Sequence, residues 1–580
     1  MHQRSYDHCG STRPLLGETI GQCLDRVAAA HPDNEVLVSV PQNIRFTYAE
    51  FVKVVNRSAK AFLKLGIRRG DRVAVWSINN YEWVVAQFAT ARIGAVLVNV
   101  NPAYRTHELE YVLKESRARA LLLIESFKSS RYLDMFFEIC PEARQCEPGH
   151  LESWRFPHLR SVVFIGKEQH PGMFTRRAFA ELGGELEDAP LRDEEQDLDI
   201  DDVINIQYTS GTTGFPKGVL LTHNNILNNA YSVGEVLGLT PSDRVCVPLP
   251  FYHCFGMVIS NLGAVTHGAT IVVPSASFDA AATLHAVDKE RCTVLHGVPT
   301  MFMAMLEEPA FESHNLTSLR TGIMAGAPCP IELMRNVVER MHMPDVLIAY
   351  GQTEASPATT MTRADDTLER RVSTVGRVMP HQELKIIDAQ TGRTTQRGET
   401  GEICFRGYMV MAGYDNLPEQ TAEAIDARGW LHSGDLGTMD DNGYVRITGR
   451  IKNMIIRGGE NIYPREIEEF LFGLDQFADA EVVSVPDERC GEELVAFVRL
   501  QGAAAKSPPS AAEMRELCRD KIAHFKIPRF WKVIDEYPMT VTGKIQKFKL
   551  REMAERDLAA GTLPDSKTKA NPAAPPVAAS

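Results

Sequence analysis

The stretch Val203-Ile204-Asn205-Ile206-Gln207-Tyr208-Thr209-Ser210-Gly211-Thr212-Thr213-Gly214-Phe215-Pro216-Lys217-Gly218 governs the reading of the whole chain. Its opening, residues 203–208, is rich in β-branched and aromatic side chains and predicts a strand. The strand runs straight into hydroxyl residues on each side of a glycine, a second glycine, and then Pro-Lys-Gly. A loop of that kind offers exposed amides, several hydroxyl donors and one cation, a set suited to a polyphosphate. It is not a Walker A loop, because Gly-Lys-[Ser/Thr] is missing, and the other Gly-Lys in a turn context, Gly543-Lys544, is followed by Ile545. Alone, the loop reads first as a mobile Ser/Thr/Gly connection. Its chemistry depends on partners elsewhere.

Outward from this stretch, residues 19–200 alternate helix-period segments, such as Ile20–Ala30 and 48–65, with short apolar runs at 72–75 and 120–124. That alternation predicts an α/β layer architecture. Residues 185–202 hold ten acids and one arginine and read as a solvated surface connection. Strands and helices continue through 219–448, with Asp440-Asp441-Asn442-Gly443 marking a hairpin. Past Gly449-Arg450-Ile451-Lys452 the pattern shifts to a small α+β unit: a helix at 464–474, strands at 480–485 and 494–500, a helix at 510–522 and a strand at 529–534. The expected division is a large domain at 1–449, a hinge at 450–453, a small domain at 454–560 and a disordered Ala/Pro/Ser/Lys-rich tail at 561–580.

Composition narrows the function. The chain has 580 residues, 44% of them apolar and 24% charged, and a net charge of −13, so it lacks the basic excess of a nucleic-acid binder. Any anionic ligand must be met locally. Eleven cysteines with no Cys-x-x-Cys pair read as buried thiols in a reducing compartment. The longest uncharged stretch, 245–278, is interrupted by Pro248, Pro250, His253, Asn261, His267 and Pro274, which predicts buried core and not a membrane span. The first residues contain no signal-peptide core, and the end, Ala578-Ala579-Ser580, is not the peroxisomal tripeptide, so the expected location is cytoplasmic, with the mitochondrial matrix as the alternative that Arg4 and Arg13 leave open.

Four further segments supply partners for the loop. Tyr350-Gly351-Gln352-Thr353-Glu354 combines an aromatic face for a base with a carboxylate for a hard cation such as Mg²⁺. Trp430-Leu431-His432-Ser433-Gly434-Asp435 ends in an aspartate of the kind that pairs with ribose hydroxyls. Gly449-Arg450-Ile451-Lys452 joins the two expected domains, and Thr542-Gly543-Lys544 places a lysine in a turn near the C-terminus. This ordered set resembles the acyl-adenylate-forming enzymes: acyl-CoA synthetases, adenylation domains of peptide synthetases and firefly luciferases. One such motif is weak; five in order are specific. More narrowly, His253 within Pro250-Phe251-Tyr252-His253-Cys254-Phe255-Gly256, Ala325-Gly326-Ala327-Pro328, and Ile522-Ala523-His524-Phe525-Lys526-Ile527-Pro528 resemble the medium-chain fatty acyl-CoA synthetases, the branch that includes animal acyl-CoA synthetase family member 2.

The resemblance implies a layered α/β large domain, a mobile small domain, and ATP, Mg²⁺, CoA and a fatty acid as ligands, with no nucleic acid and no integral membrane segment. The family contains monomers and homodimers. Thr209, Ser210, Gly211, Thr212, Thr213 and Gly214 with Lys217 would hold the β and γ phosphates, and Thr209 with Glu354 would hold Mg²⁺. Tyr350 would stack on adenine beside Gly326, Ala327 and Pro328, within a motif that includes Gly351, Gln352 and Thr353, while Asp435 accepts the ribose hydroxyls with Arg450 nearby. Lys544 would reach the α-phosphate and the acyl carboxylate. Lys452 falls on the family's hinge, and Gly458, Gly459 and Glu460 on the hairpin lining the pantetheine passage. His253, Gly297, Val298 and Gly326 would wall the acyl pocket. The long-chain branch places a tryptophan gate where this chain has Phe255-Gly256-Met257, so a tunnel open to medium chains is expected. Two alternatives stay open within the enzyme class: an aryl or other acid as substrate, and a carrier protein as acyl acceptor.

Overall fold

The computed structural model describes residues 4–209, 216–457, 460–539 and 545–567. The strand expected at 203–208 forms as Val203–Thr209, with parallel Val96–Val100 on one side and antiparallel Lys217–Thr222 on the other. It belongs to an eight-stranded sheet whose order is Met173–Thr175, Ser161–Phe164, Ala120–Leu123, Arg72–Trp76, Val96–Val100, Val203–Thr209, Lys217–Thr222 and Gly413–Tyr414. All but the last two pairings are parallel. Both faces are therefore covered, and side chains alternate between two cores: Val73 and Val75 join one, Ala74 and Trp76 the other.

The first of these cores is shared with a nine-stranded sheet, parallel in its centre, that contains Thr321–Ala325 and Asp345–Gly351. A five-stranded antiparallel sheet carries the Leu431–Met439 and Val445–Arg450 hairpin, turned at the expected Asp440 to Gly443. Helices begin where their caps stand. Thr19 and Gln22, and Thr47 and Glu50, form capping boxes before Ile20–Ala30 and Tyr48–Lys64, each cap worth about 1 kcal/mol. The uncharged stretch 245–278 is interior as expected, and it includes a π-helical segment, Phe255–Leu262, that propensity does not signal.

The small domain has its own sheet, in which Val482 and Val498 face one core while Val483 and Phe497 face another. Helices Pro464–Phe472 and Ala511–Cys518 cover the first face. Lys547–Ala559, absent from the sequence reading because its apolar stripe is thin, covers the second through Leu550 and Ala554. The helix expected at 510–522 stops at Cys518.

Two expectations are corrected. Residues 185–202 are not a merely solvated connection: Ala189–Gln196 is a helix, Leu191 is buried, and Glu185, Asp188, Glu194, Glu195 and Asp202 pair with Lys64, Lys60, Arg68, Arg92 and Arg69. The tail does not begin at Gly561. Leu563 and Ser566 are buried, and Asp565 pairs with Arg529 at 2.8 Å. Among the described residues no helix is long and apolar enough to cross a membrane.

Candidate active site

Strands of three sheets, and the turns beside them, bring together Lys217, Tyr414 and Glu354 on one side and Tyr350, Asp435 and Arg450 on the other. Thr209 and Lys217 are register partners flanking the phosphate-type loop. Ser210, Gly211, Thr212, Thr213 and Gly214 lie outside the described residues, as do Gly458, Gly459 and Lys544. The Lys217 ammonium sits 4.7 Å from the centre of the Tyr414 ring, and the Tyr414 hydroxyl donates to Glu354 Oε1 at 2.9 Å. Tyr414 therefore bridges the loop cation and the expected metal carboxylate. Sequence reading missed it because only the antiparallel pairing of Val219 with Tyr414 brings positions so far apart together.

The second group forms around Asp435. The Tyr350 hydroxyl donates to Asp435 Oδ2 at 2.6 Å, and the Arg450 guanidinium donates to both carboxylate oxygens. Asp435 and Arg450 face each other directly across the hairpin, which fixes the pair in the backbone register. Burial, reinforced by Asp435, pushes the Tyr350 phenol well above its ordinary range, so it stays protonated and donates. Burial and Glu354 act on Tyr414 in the same direction.

Backbone constraints place the rest. Gly326 follows Thr321–Ala325 at φ +91°, a left-handed conformation that a side chain would strain, and a Cβ there would stand 3.3 Å from Val298 Cγ1. Gly326, Ala327 and Pro328 are exposed. Gly351 permits the turn after Tyr350, since a Cβ would lie 1.8 Å from the Pro357 carbonyl oxygen. Gly297 bridges to Met324, two residues before Gly326. His253 Nδ1 accepts the Phe255 amide at 3.1 Å, a bond that opens the π-helical segment, and Cys254 Sγ meets Thr353 Oγ1 at 3.7 Å. Gln352 caps the short turn Thr353–Ala355 that presents Glu354. Lys452 lies in the 3₁₀ turn Ile451–Asn453, and Glu460 pairs with Arg457 in the following hairpin.

Glu402 also escaped sequence reading. Its Oε1 accepts the Gly434 amide at 3.1 Å and its Oε2 meets His432 Nδ1 at 2.9 Å, holding the turn that carries Asp435. Glu402, Cys404 and His432 lie within metal-chelating reach of one another. Both carboxylate oxygens are already engaged, and burial pushes the Cys404 thiol far above its ordinary range, opposite to what a thiolate ligand needs. Among the described residues of 519–551, Arg519, Lys526, Arg529, Lys532 and Lys547 pair with acids of the small domain.

This fold is that of an adenylate-forming class of enzyme, and the chain belongs to the AMP-binding enzyme family. The family model matches residues 24–415, and the AMP-binding enzyme C-terminal domain matches 466–544. The putative acyl-CoA synthetase YngI of Bacillus subtilis (strain 168) is 50% identical over 93% of this chain and 97% of that protein. The mitochondrial medium-chain acyl-CoA ligase ACSF2 of Bos taurus is 43% identical over 94% and 89%. Among solved structures, ATP-bound MatB from Rhodopseudomonas palustris superposes with a TM-score of 0.78 at 27% identity, covering 92% of this chain and 99% of that one.

Proposed function

We propose that this protein is an ATP-dependent acyl-CoA synthetase that activates a medium-chain fatty acid as its adenylate and transfers the acyl group to the thiol of CoA. The observation that carries the reading is the convergence of Tyr350, Asp435 and Arg450 with Glu354, Tyr414 and Lys217 in one cleft. Attack of the acid's carboxylate oxygen on the α-phosphorus expels pyrophosphate, and attack of the CoA thiolate on the mixed anhydride expels AMP. These steps need positioning and charge neutralisation more than covalent help from the protein.

In this reading Asp435 accepts the ribose hydroxyls, Tyr350 presents a ring face to adenine, and Lys217 meets the terminal phosphates. Thr209 and Glu354 offer the hard oxygen donors that suit Mg²⁺, which would neutralise phosphate charge. Lys544 acts on the α-phosphate from the small domain. A hinge at 450–453, in the single 3₁₀ turn between the Val445–Arg450 strand and the small domain's first strand, divides 1–449 from 454–560 and brings Lys544 and the Gly458-Gly459-Glu460 hairpin to the cleft in turn. The medium-chain assignment is supported by the relatives of that name. The eleven free cysteines support a cytoplasmic setting.

The test supplies purified protein with ATP, Mg²⁺, CoA and acetate, butyrate, octanoate, palmitate or benzoate, and follows pyrophosphate release and thiol consumption. Both signals should peak with octanoate. Pyrophosphate without thiol loss overturns CoA as the acceptor, a benzoate optimum overturns the fatty acid, and silence overturns the reading.

A further inference from the structure

Buried polar side chains gather at one point of the large domain. Gln87, Asn99, Asn205, Gln207 and Asn261 are each at most 3% exposed. Gln87, Asn99 and Gln207 contact Met257, in the first turn of the π-helical segment Phe255–Leu262, and Asn205 and Asn261 join them through Asn99 and Gln87. Asn99 and Gln207 direct amide N–H groups at the Met257 sulfur, 3.4 and 3.6 Å away. Gln87 donates to the Met257 carbonyl at 3.2 Å and accepts from Asn261 at 3.2 Å, while Asn205 donates to Asn99 at 2.9 Å. A thioether is a weak acceptor, so the N–H groups aimed at it are poorly employed, although the Asn99 amide also donates to the Tyr252 carbonyl at 2.9 Å. Among the described residues Asn205 Oδ1 and Asn261 Oδ1 have no partner at all. Gln87, Asn99 and Asn205 also satisfy the Met257, Tyr252 and Leu97 carbonyls, whereas the two open oxygens serve nothing in the fold, which marks those oxygens as a recognition surface.

Its place in the fold says what reaches it. After a register shift between Val203 and Asn205, the residues Asn205, Gln207 and Thr209 fall on one face of their strand, and Asn99 stands directly opposite Gln207 on the parallel neighbour. The row thus starts beside the phosphate-type loop and runs inward for about 13 Å. The π-helical segment that follows His253 closes it from the other side.

We propose that this amide cluster is the end wall of the acyl compartment and selects acids by the group at their far end, accepting a hydroxyl and turning away a methyl. The proposal rests on the acyl-CoA synthetase reading above. A hydroxyl donates to the open oxygens of Asn205 and Asn261; a methyl arriving there leaves them stranded. Plain chains are limited to lengths that stop short of Met257, and ω-hydroxy acids reach further.

The experiment compares, on the unmodified protein, straight-chain acids from hexanoate to hexadecanoate with their ω-hydroxy counterparts, reading pyrophosphate release as kcat/KM. At the length where plain acids lose activity, the ω-hydroxy acid should be faster by about tenfold. Asn261→Leu should reduce that advantage and move the plain-acid optimum to longer chains. If each plain acid outperforms its ω-hydroxy counterpart at every length while both are turned over, the end wall is overturned and the synthetase reading stands. No turnover of any acid in the series overturns both.

Discussion

The cleft mouth and the interior beneath the π-helical segment solve one problem in opposite ways. At the mouth, Asp435, Arg450, Glu354 and Lys217 are ionic, each held by a named partner. In the interior, Gln87, Asn99, Asn205, Gln207 and Asn261 carry no charge, and two of their oxygens stay open. The difference follows from solvation: a charge buried without compensation is prohibitive, whereas a neutral amide strands only 1–3 kcal/mol or so. Charge therefore stands at the mouth only in paired form, the buried Asp435 carboxylate held by Arg450, while the interior is lined by neutral amides.

The sharpest way to break this comparison is Asp435→Ala. It removes the acceptor shared by Tyr350 and Arg450, and kcat/KM for ATP should fall about 10²- to 10³-fold with the acyl-chain profile unchanged. A shifted profile would show that the two regions are not separable. Glu354→Gln keeps the shape and removes the charge, and should cost about 10²-fold with a raised Mg²⁺ requirement, read from a Mg²⁺ titration of pyrophosphate release. Tyr414→Phe deletes one hydrogen bond to Glu354 and leaves the ring beneath Lys217, so a loss of about fivefold in kcat/KM for ATP is expected. From the interior side, Met257→Leu conserves volume and removes the sulfur that Asn99 and Gln207 address; the KM for octanoate should change about two- to threefold while that for ATP holds.

The smallest effect is on stability. The hydrogen bond to Glu402 raises the folded pKa of His432 above its usual value, so the pair's contribution is fully present below about pH 6.5 and is lost as pH rises through the raised value. Thermal melts across that window should show the decline in the parent protein and a flatter profile in Glu402→Gln.

Local rules made much of the molecule legible. The strand before the phosphate-type loop, the capped helix at Ile20–Ala30 and the Asp440 to Gly443 turn follow from alternation, capping side chains and turn residues a few positions apart. The readings of 185–202 and of the tail from Gly561 misled for one shared reason. Their partners, such as Lys60 and Arg92 for the first and Arg529 for the second, are remote in sequence, so composition alone showed solvated charge in the first and a low-complexity tail in the second.

The sequence by itself determined the family, the alternation of helices and strands, and the residue types at the cleft, because each rests on patterns of short range or on ordered motifs. Only the tertiary structure decided that Tyr414 joins Lys217 to Glu354, that Glu402 steadies the turn before Asp435, and that three amides meet at Met257 with two more linked behind them. Those contacts depend on strand register and on the packing of one π-helical segment against a sheet, and no interval along the chain encodes them.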